Sequence, residues 1–216
     1  RSGGAIFNGG GSSGTSSPDI TNATFTGNTA SSGGAIFNTG SFGGASRPLI
    51  TNTILWGNTA DNGGNDIVND DATPEYRHTL AEGLNLTGTG TGNVDGTDPA
   101  SDPLFVDAGD FSGPDNTFGT TDDGLRLSLA SPALGAGTNA PFEAGGIAEG
   151  IATDLAGEAR IQDGTVDLGA YEGAAASTAT ETVTADGLIG FPGTGVSVAF
   201  AGVSGAGTVT VQAALA

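Results

Sequence analysis

The sequence predicts an all-β protein, a solenoid of short stacked strands followed by a small C-terminal β segment. Three observations lead there. Gly3-Gly4-Ala5-Ile6-Phe7-Asn8 returns as Gly33-Gly34-Ala35-Ile36-Phe37-Asn38, a spacing of 30. Ile20-Thr21-Asn22 returns as Ile50-Thr51-Asn52, and Gly27-Asn28-Thr29-Ala30 as Gly57-Asn58-Thr59-Ala60, at that same spacing of 30. A fixed period of this size marks a repeat architecture. Finally, no helical period runs through these segments, which are rich in Thr, Ile and Phe and punctuated by Gly, Asn and Asp.

Within one repeat, Gly-Gly opens the tight corner before the strand at Ile6 and Ile36. Stacked repeats place equivalent residues in ladders along the axis. Phe7 is therefore expected on Phe37 and Ile20 on Ile50, with Phe25 meeting Leu55 to fill a narrow interior. Asn8/Asn38, Asn22/Asn52 and Asn28/Asn58 are expected at turns, their amides bonding to one another and to backbone. Segments 9–19 and 39–49 have equal length and loop-like composition, and should protrude from one side. Gly63-Gly64 begins a third, degenerate copy.

Further along, 102–107 reads as a strand with Leu104 and Val106 on one face. Leu125, Leu127 and Leu129 alternate with polar residues as in a half-buried strand. Between them, residues 107–123 hold Asp107, Asp110, Asp115, Asn116, Asp122 and Asp123 in a Gly-containing loop. Such oxygen ligands suit calcium, and a solvated acidic loop is the alternative. The stretch 153–172 contains Asp154, Glu158, Arg160, Asp163, Asp167 and Glu172. Paired carboxylates can act as acid and base in glycoside hydrolysis. The structural alternative has Arg160 held by Asp167 or Glu172, locking a closing turn, with Tyr171 covering the end of the core. Residues 174–180 read as a small-residue linker. Glu181–Ala185, Val196–Phe200 and Thr208–Gln212 then read as a three-strand meander with Gly-rich turns at 192–195 and 204–207.

Composition narrows the function. The 216 residues carry 24 Asp and Glu against 5 Lys and Arg, a formal charge of −19. That surface repels phosphate, which argues against nucleic acid and anionic lipid as partners. Cys is absent and His78 is the single His, which excludes thiolate zinc sites, Cys nucleophiles and multi-histidine metal centres. No run of about eighteen apolar residues is present to span a membrane. With no Met and a start inside a repeat, the chain is expected to be a processed subunit or a piece of a longer protein.

The Gly-Gly-Ala-Ile segments at 3–6 and 33–36, with Phe25-Thr26-Gly27-Asn28, resemble the paired GGA-aliphatic and FxxN repeats of the polymorphic outer-membrane proteins. The second copy departs, with Leu55-Trp56-Gly57-Asn58. Residues 74–172 resemble the C-terminal part of secreted bacterial right-handed parallel β-helix repeat proteins of the choice-of-anchor type. The matching residues are Tyr76–Gly83, Asp102–Asp107, Leu125-Arg126-Leu127, Ser131–Leu134, Thr153–Gly157 with Arg160, and Val166–Glu172. These resemblances imply a right-handed parallel β-helix over 1–173, an extracellular or cell-surface location, and adhesion without a defined chemistry.

The function expected is therefore a non-enzymatic structural or adhesive element. It would join copies head to tail through an open β-helix end and the C-terminal β segment, or join other parts of a longer surface protein. Glycans are further candidate partners, and Asn22-Ala23-Thr24 and Asn85-Leu86-Thr87 match the N-glycosylation sequon. The alternative is a polysaccharide-active or carbohydrate-binding β-helix protein. Against a lyase, residues 1–70 hold no Lys and only Arg1 and Arg47. Against a hydrolase, Asp19, Asp61 and Asp66 fall beside turns. A binding platform would use exposed aromatics, and Trp56, whose counterpart one repeat earlier is Thr26, is expected to face outward.

Overall fold

The computed structural model describes residues 2–41, 43–173, 176–183, 186–191, 196–201 and 206–214. They are all β with no α-helix; the helical segments described are two single turns of 3-10 helix, Pro99–Ser101 and Ala140–Phe142. The chain divides into two compact units, 1–173 and 174–216.

In the first unit, the first repeat forms β1 (Ile6–Gly9), β2 (Thr15–Ser16), β3 (Asp19–Thr21), β4 (Thr24–Phe25) and β5 (Thr29–Ala30). The second forms β6 (Ile36–Thr39), β7 (Ala45–Ser46), β8 (Leu49–Leu55) and β9 (Thr59–Ala60), and the third β10 (Ile67–Asp70) and β11 (Glu75–Ala81). All pairings between repeats are parallel. Ile6 lies on Ile36, Ile20 on Ile50, Phe25 on Leu55 and Thr29 on Thr59. Segments 9–19 and 39–49 are not simply protruding loops, because β2 pairs with β7 within them and Ser46 is buried.

The third repeat changes register. Ile67 pairs with Ile36, whereas Tyr76 pairs with Ile50. The shift thus falls from 31 to 26 because only residues 71–74 join β10 to β11 and no counterpart of β2 and β7 intervenes. Close stacking needs glycine at the corner: a Cβ on Gly34 would fall 2.1 Å from Asn65 O.

Apolar residues form two clusters. Ile36, Ile50, Leu55, Ile67, Tyr76 and Ala81 fill the space inside the repeats. Ile54 and Leu80 instead face Leu127, Ala133 and Leu168, so β8 is buried on both sides. Trp56 is partly buried against this second cluster and does not stand free. Phe7 stacks on Phe37 with centroids 5.7 Å apart, but on the outside, where Phe7 is 59% exposed.

Asn8 and Asn38 point inward from their strands instead of sitting at turns. Asn8 Nδ2 donates to Asn38 Oδ1 (3.1 Å), Asn38 Nδ2 to Asn69 Oδ1 (2.8 Å), and Asn69 Nδ2 to the Tyr76 hydroxyl (2.9 Å). A second ladder, Asn22, Asn52 and His78, occupies equivalent positions with φ of 46°, 50° and 46°. Asn tolerates this left-handed conformation better than most residues. The bend turns these side chains outward, where they hold later segments of the chain. Asn52 bonds Thr138 through both amide atoms, each at 2.9 Å, and Asn22 Nδ2 donates to Asp167 O (3.2 Å). His78 Nδ1 donates to Ala136 O (2.8 Å).

The middle of the chain departs from expectation. Residues 102–107 and 125–129 form no strands but meet at a single antiparallel bridge, Phe105 to Leu127. Leu104 adopts φ 49° and is exposed, as is Val106, while Phe105 packs inward. The face expected to be buried is therefore the outer one.

In the second unit, β12 (Ala176–Val183) pairs antiparallel with β15 (Gly207–Ala214), and β13 (Gly187–Phe191) with β14 (Val196–Phe200). This is a nested pairing, not a meander, and residues 176–180 of the expected linker lie within β12. The turn at 192–195 and part of that at 204–207 lie outside the described residues.

Replacing Asn38 by Ala would leave one buried amide donor of Asn8 without its acceptor, the other still reaching Ser46 Oγ (2.9 Å), and would remove the donor to the exposed Asn69. Stranded buried groups cost about 1–3 kcal/mol each. Asn38→Ala should lower the unfolding free energy read from urea titration by about 1–3 kcal/mol, whereas Thr29→Ala, on the exposed Thr29–Thr59 pair, should barely move it.

Candidate functional site

The acidic loop does not gather its carboxylates. Asp107 Oδ1 accepts from Gly109 N (2.8 Å) and Asp115 Oδ1 from Thr117 N (2.7 Å), each closing a local turn. Asp110 offers its carbonyl to Gly113 N (3.3 Å), and Asn116 Nδ2 donates to Pro114 O (3.3 Å). Asp122 accepts from the Thr120 hydroxyl (2.6 Å), a bond that holds its carboxyl below the usual range. Asp123 departs from the rest: it is fully buried, and its Oδ2 accepts from Gly119 N, Thr120 N and the Tyr171 hydroxyl at 2.7, 2.9 and 2.7 Å. Among the described residues, no three His, Cys, Asp or Glu side chains come together to hold a metal ion.

The closing segment brings together the charged groups of 154–172. Arg160 NH1 donates to Glu172 Oε1 (2.9 Å), both side chains being buried, and NH2 donates to Ala170 O (2.9 Å). The Phe142 ring covers the guanidinium at 5.8 Å. Of the two partners considered for Arg160, it is Glu172 that takes the ion pair. Glu172 Oε2 accepts from Asp167 N (2.9 Å). Asp167 accepts from Gly135 N and Gly173 N, each at 2.6 Å, and Asp154 from Glu158 N and Glu172 N, each at 2.8 Å. Five of the six oxygens of these three carboxyls therefore accept from backbone amides, and the sixth, Glu172 Oε1, takes the Arg160 guanidinium. Burial raises Glu172 to about 7, the facing Asp167 adding to the rise and Arg160 opposing it. Asp167 is raised as well, chiefly by burial. Asp163 and Glu158 are exposed.

A further buried acid lies inside the repeats. Asp66 is 1% exposed, accepts from Asn58 Nδ2 (2.8 Å) through Oδ1, and leaves Oδ2 without a partner. It ends the amide ladder in which Asn28 Nδ2 donates to Asn58 Oδ1 (2.9 Å). Burial, reinforced by repulsion from Glu82 and opposed by the Asn58 bond, pushes it from 3.8 to about 7. Reading Asp66 as a turn residue missed this role. The available signal was alignment of the third copy on Ile67, which sets Asp66 at the position of Ala5 and Ala35.

Open clefts border these groups. One of 380 Å³ lies among Phe25, Phe111, Phe118 and Tyr171. Another of 210 Å³ lies over the outer face of β3 and β8, with Arg77 and Ile147 at its sides. Comparison of the chain with known protein families, curated proteins and solved structures finds no match. Among the described residues, no helix is long and apolar enough to cross a membrane.

Asp66 and Glu172 both have folded pKa values above those of the unfolded chain, so folding takes up protons between about 4 and 7. The stabilisation is complete below about 4 and is lost as pH rises through about 7. Thermal unfolding followed by circular dichroism should give a melting temperature that falls from pH 5 to pH 8. Asp66→Asn should flatten part of that slope and raise the midpoint at pH 8; a variant profile parallel to the parent's would contradict the assignment. Glu172→Gln fixes that side chain in its uncharged state, so it should likewise flatten part of the slope and differ least from the parent below about pH 7.

Proposed function

We propose that residues 1–173 wind as a right-handed parallel β-helix and serve as a non-enzymatic structural or adhesive element of the bacterial surface or extracellular matrix. In this reading the chain is exported, and its repeats extend head to tail against further copies or against other parts of a longer surface protein. The observation that carries the reading is the register: every strand pair between the first two repeats keeps a parallel offset of thirty residues. One rung is thus a template for the next, and a contact of that kind propagates without closing on itself. The buried carboxyls support a structural role, since Asp154, Asp167 and Glu172 bond backbone amides of neighbouring segments. The exposed Phe7 over Phe37 favours a second reading, a carbohydrate-binding β-helix, because aromatic rings offer apolar faces to sugars.

Sedimentation velocity across a concentration series, with negative-stain microscopy of the heaviest fraction, separates these readings. Linear particles of constant width are expected, and Phe7→Pro should shorten them: Ile6 N and Gly10 N donate inward to Ala35 O and Thr39 O, so the alternating Phe7 N faces the open side of the outermost described strand of its sheet. A monomer at every concentration would remove the assembly. Release of reducing ends or unsaturated uronides from a polysaccharide panel would replace the passive reading with an enzymatic one.

A further inference from the structure

The cleft of 380 Å³ is walled by Phe25 of β4, Phe111 and Phe118 of the acidic loop, Tyr171 of the closing segment, and the side chains of Leu125 and Leu155. Three distant parts of the sequence therefore bring four aromatic rings to one place. Phe111 reaches it across Gly27, where a Cβ would stand 3.0 Å from the ring. Phe118 and Leu155 stand at the mouth, 60% and 51% exposed. Two of the polar side chains on the wall are engaged: Thr24 Oγ1 accepts from Ala170 N (3.0 Å), and Asn28 Nδ2 donates to Thr26 O (3.2 Å) and to Asn58 Oδ1 (2.9 Å). A sugar would find apolar faces here but few free partners for its hydroxyls.

Charge selects the ligand. Between His78 and Arg126 the chain carries nine Asp and Glu and no Lys or Arg. The loop that supplies Phe111 and Phe118 also holds Asp107, Asp110, Asp115 and Asp122, all exposed. Behind the wall, the Tyr171 hydroxyl donates to Asp123 Oδ2 (2.7 Å), and Asp123 Oδ1 is buried with no donor. A phenol that donates to a carboxylate has a more electron-rich ring, and the negative face of an aromatic ring attracts cations.

We propose that this cleft binds a small organic cation of the quaternary ammonium class, its alkyl groups against Phe25, Phe111 and Phe118 and its charge drawn by the Tyr171–Asp123 pair. Methyl groups around a positive charge need no hydrogen bonds, which suits a wall made mostly of rings and aliphatic side chains. The assignment holds whether or not the chain assembles with other copies.

Calorimetric titration of the full chain with choline, and with the neutral isostere in which tert-butyl replaces trimethylammonium, tests it. Choline is expected to bind about tenfold tighter than the isostere, and added salt should weaken choline alone. Phe118→Ala, at an exposed position, should abolish binding while leaving the melting temperature in place. Tyr171→Phe keeps the ring but removes the bond to Asp123, so it should lower the preference for choline over the isostere several-fold. Equal affinity for both ligands would reduce the site to an apolar cleft and overturn the proposal. Saturation by cellobiose without binding of choline, or no binding of any of the three, would overturn it equally.

Discussion

An asparagine buried between stacked strands must find its partners in the repeat above or below it and in the few polar side chains that face it, as Ser16 and Ser46 face Asn8. That constraint organises the first unit. Asn8, Asn38 and Asn69 hold one another in a chain of amide bonds that ends on the Tyr76 hydroxyl. Each member is a donor and an acceptor, so the bonds form only if neighbouring repeats keep one register. A slip of one residue would turn every inward Ile and Asn to the outside. Hydrophobic contacts among Ile36, Ile50 and Ile67 supply attraction and resist the same slip, but they lack the directionality of the amide bonds. The ladder therefore specifies the register while the aliphatic residues provide most of the driving force.

The same dependence explains how the irregular second half of the unit is attached. Residues 82–173 contain little strand and cannot bury their backbone groups in ladders of their own. They borrow partners from the regular part. The left-handed bends at Asn22, Asn52 and His78 present amides and an imidazole to the carbonyls of Asp167, Thr138 and Ala136. Within the irregular part, buried carboxyls perform the task that strand pairing performs elsewhere. Asp154, Asp167 and Glu172 each receive two donors, and Arg160 neutralises Glu172 while bonding Ala170 O. Removing charge from water is costly unless every lone pair finds a donor. Here the donors are the backbone amides that the missing strands would otherwise have paired.

Much of this was legible from the sequence wherever one repeat could be laid over another. The thirty-residue period predicted Ile6 on Ile36, Ile20 on Ile50, Phe25 on Leu55 and the pairing of Asn28 with Asn58. It could not predict which side of a strand faces inward, so Phe7 and Phe37 stack on the outer surface while Asn8 and Asn38 are buried. The third repeat hid its register because the loss of the β2 and β7 segment changes the offset partway through. Asp66 was obscured for that reason, although it stands where Ala5 and Ala35 stood before it. Residues 102–129 misled for a different reason. Alternation of Leu with polar residues predicts a strand only where a neighbouring strand is available. At Phe105 and Leu127 a single bridge is all that forms, and φ 49° at Leu104 reverses the faces. The ion pair of Arg160 was legible as chemistry but not as geometry, since Asp167 and Glu172 were equally placed in the sequence.

The charge of −19 is not a uniform coating: the structure sorts the acids into two populations with different physical roles. Asp66, Asp123, Asp154, Asp167 and Glu172 are buried and act as acceptors at fixed positions. Asp102, Asp107, Asp110, Asp115 and Asp122 are exposed and close local turns or face solvent on a stretch without a single basic residue. Within the first, burial pushes the carboxyls of Asp66, Asp167 and Glu172 up; the second places negative charge where solvent and ligands meet it. Asp123 belongs to the first by burial and to the second by sequence, and it bonds the one tyrosine that walls the aromatic cleft. The interior network and the outer field thus meet at Tyr171. A closing segment built to satisfy backbone groups thereby also shapes the surface that a cation would meet.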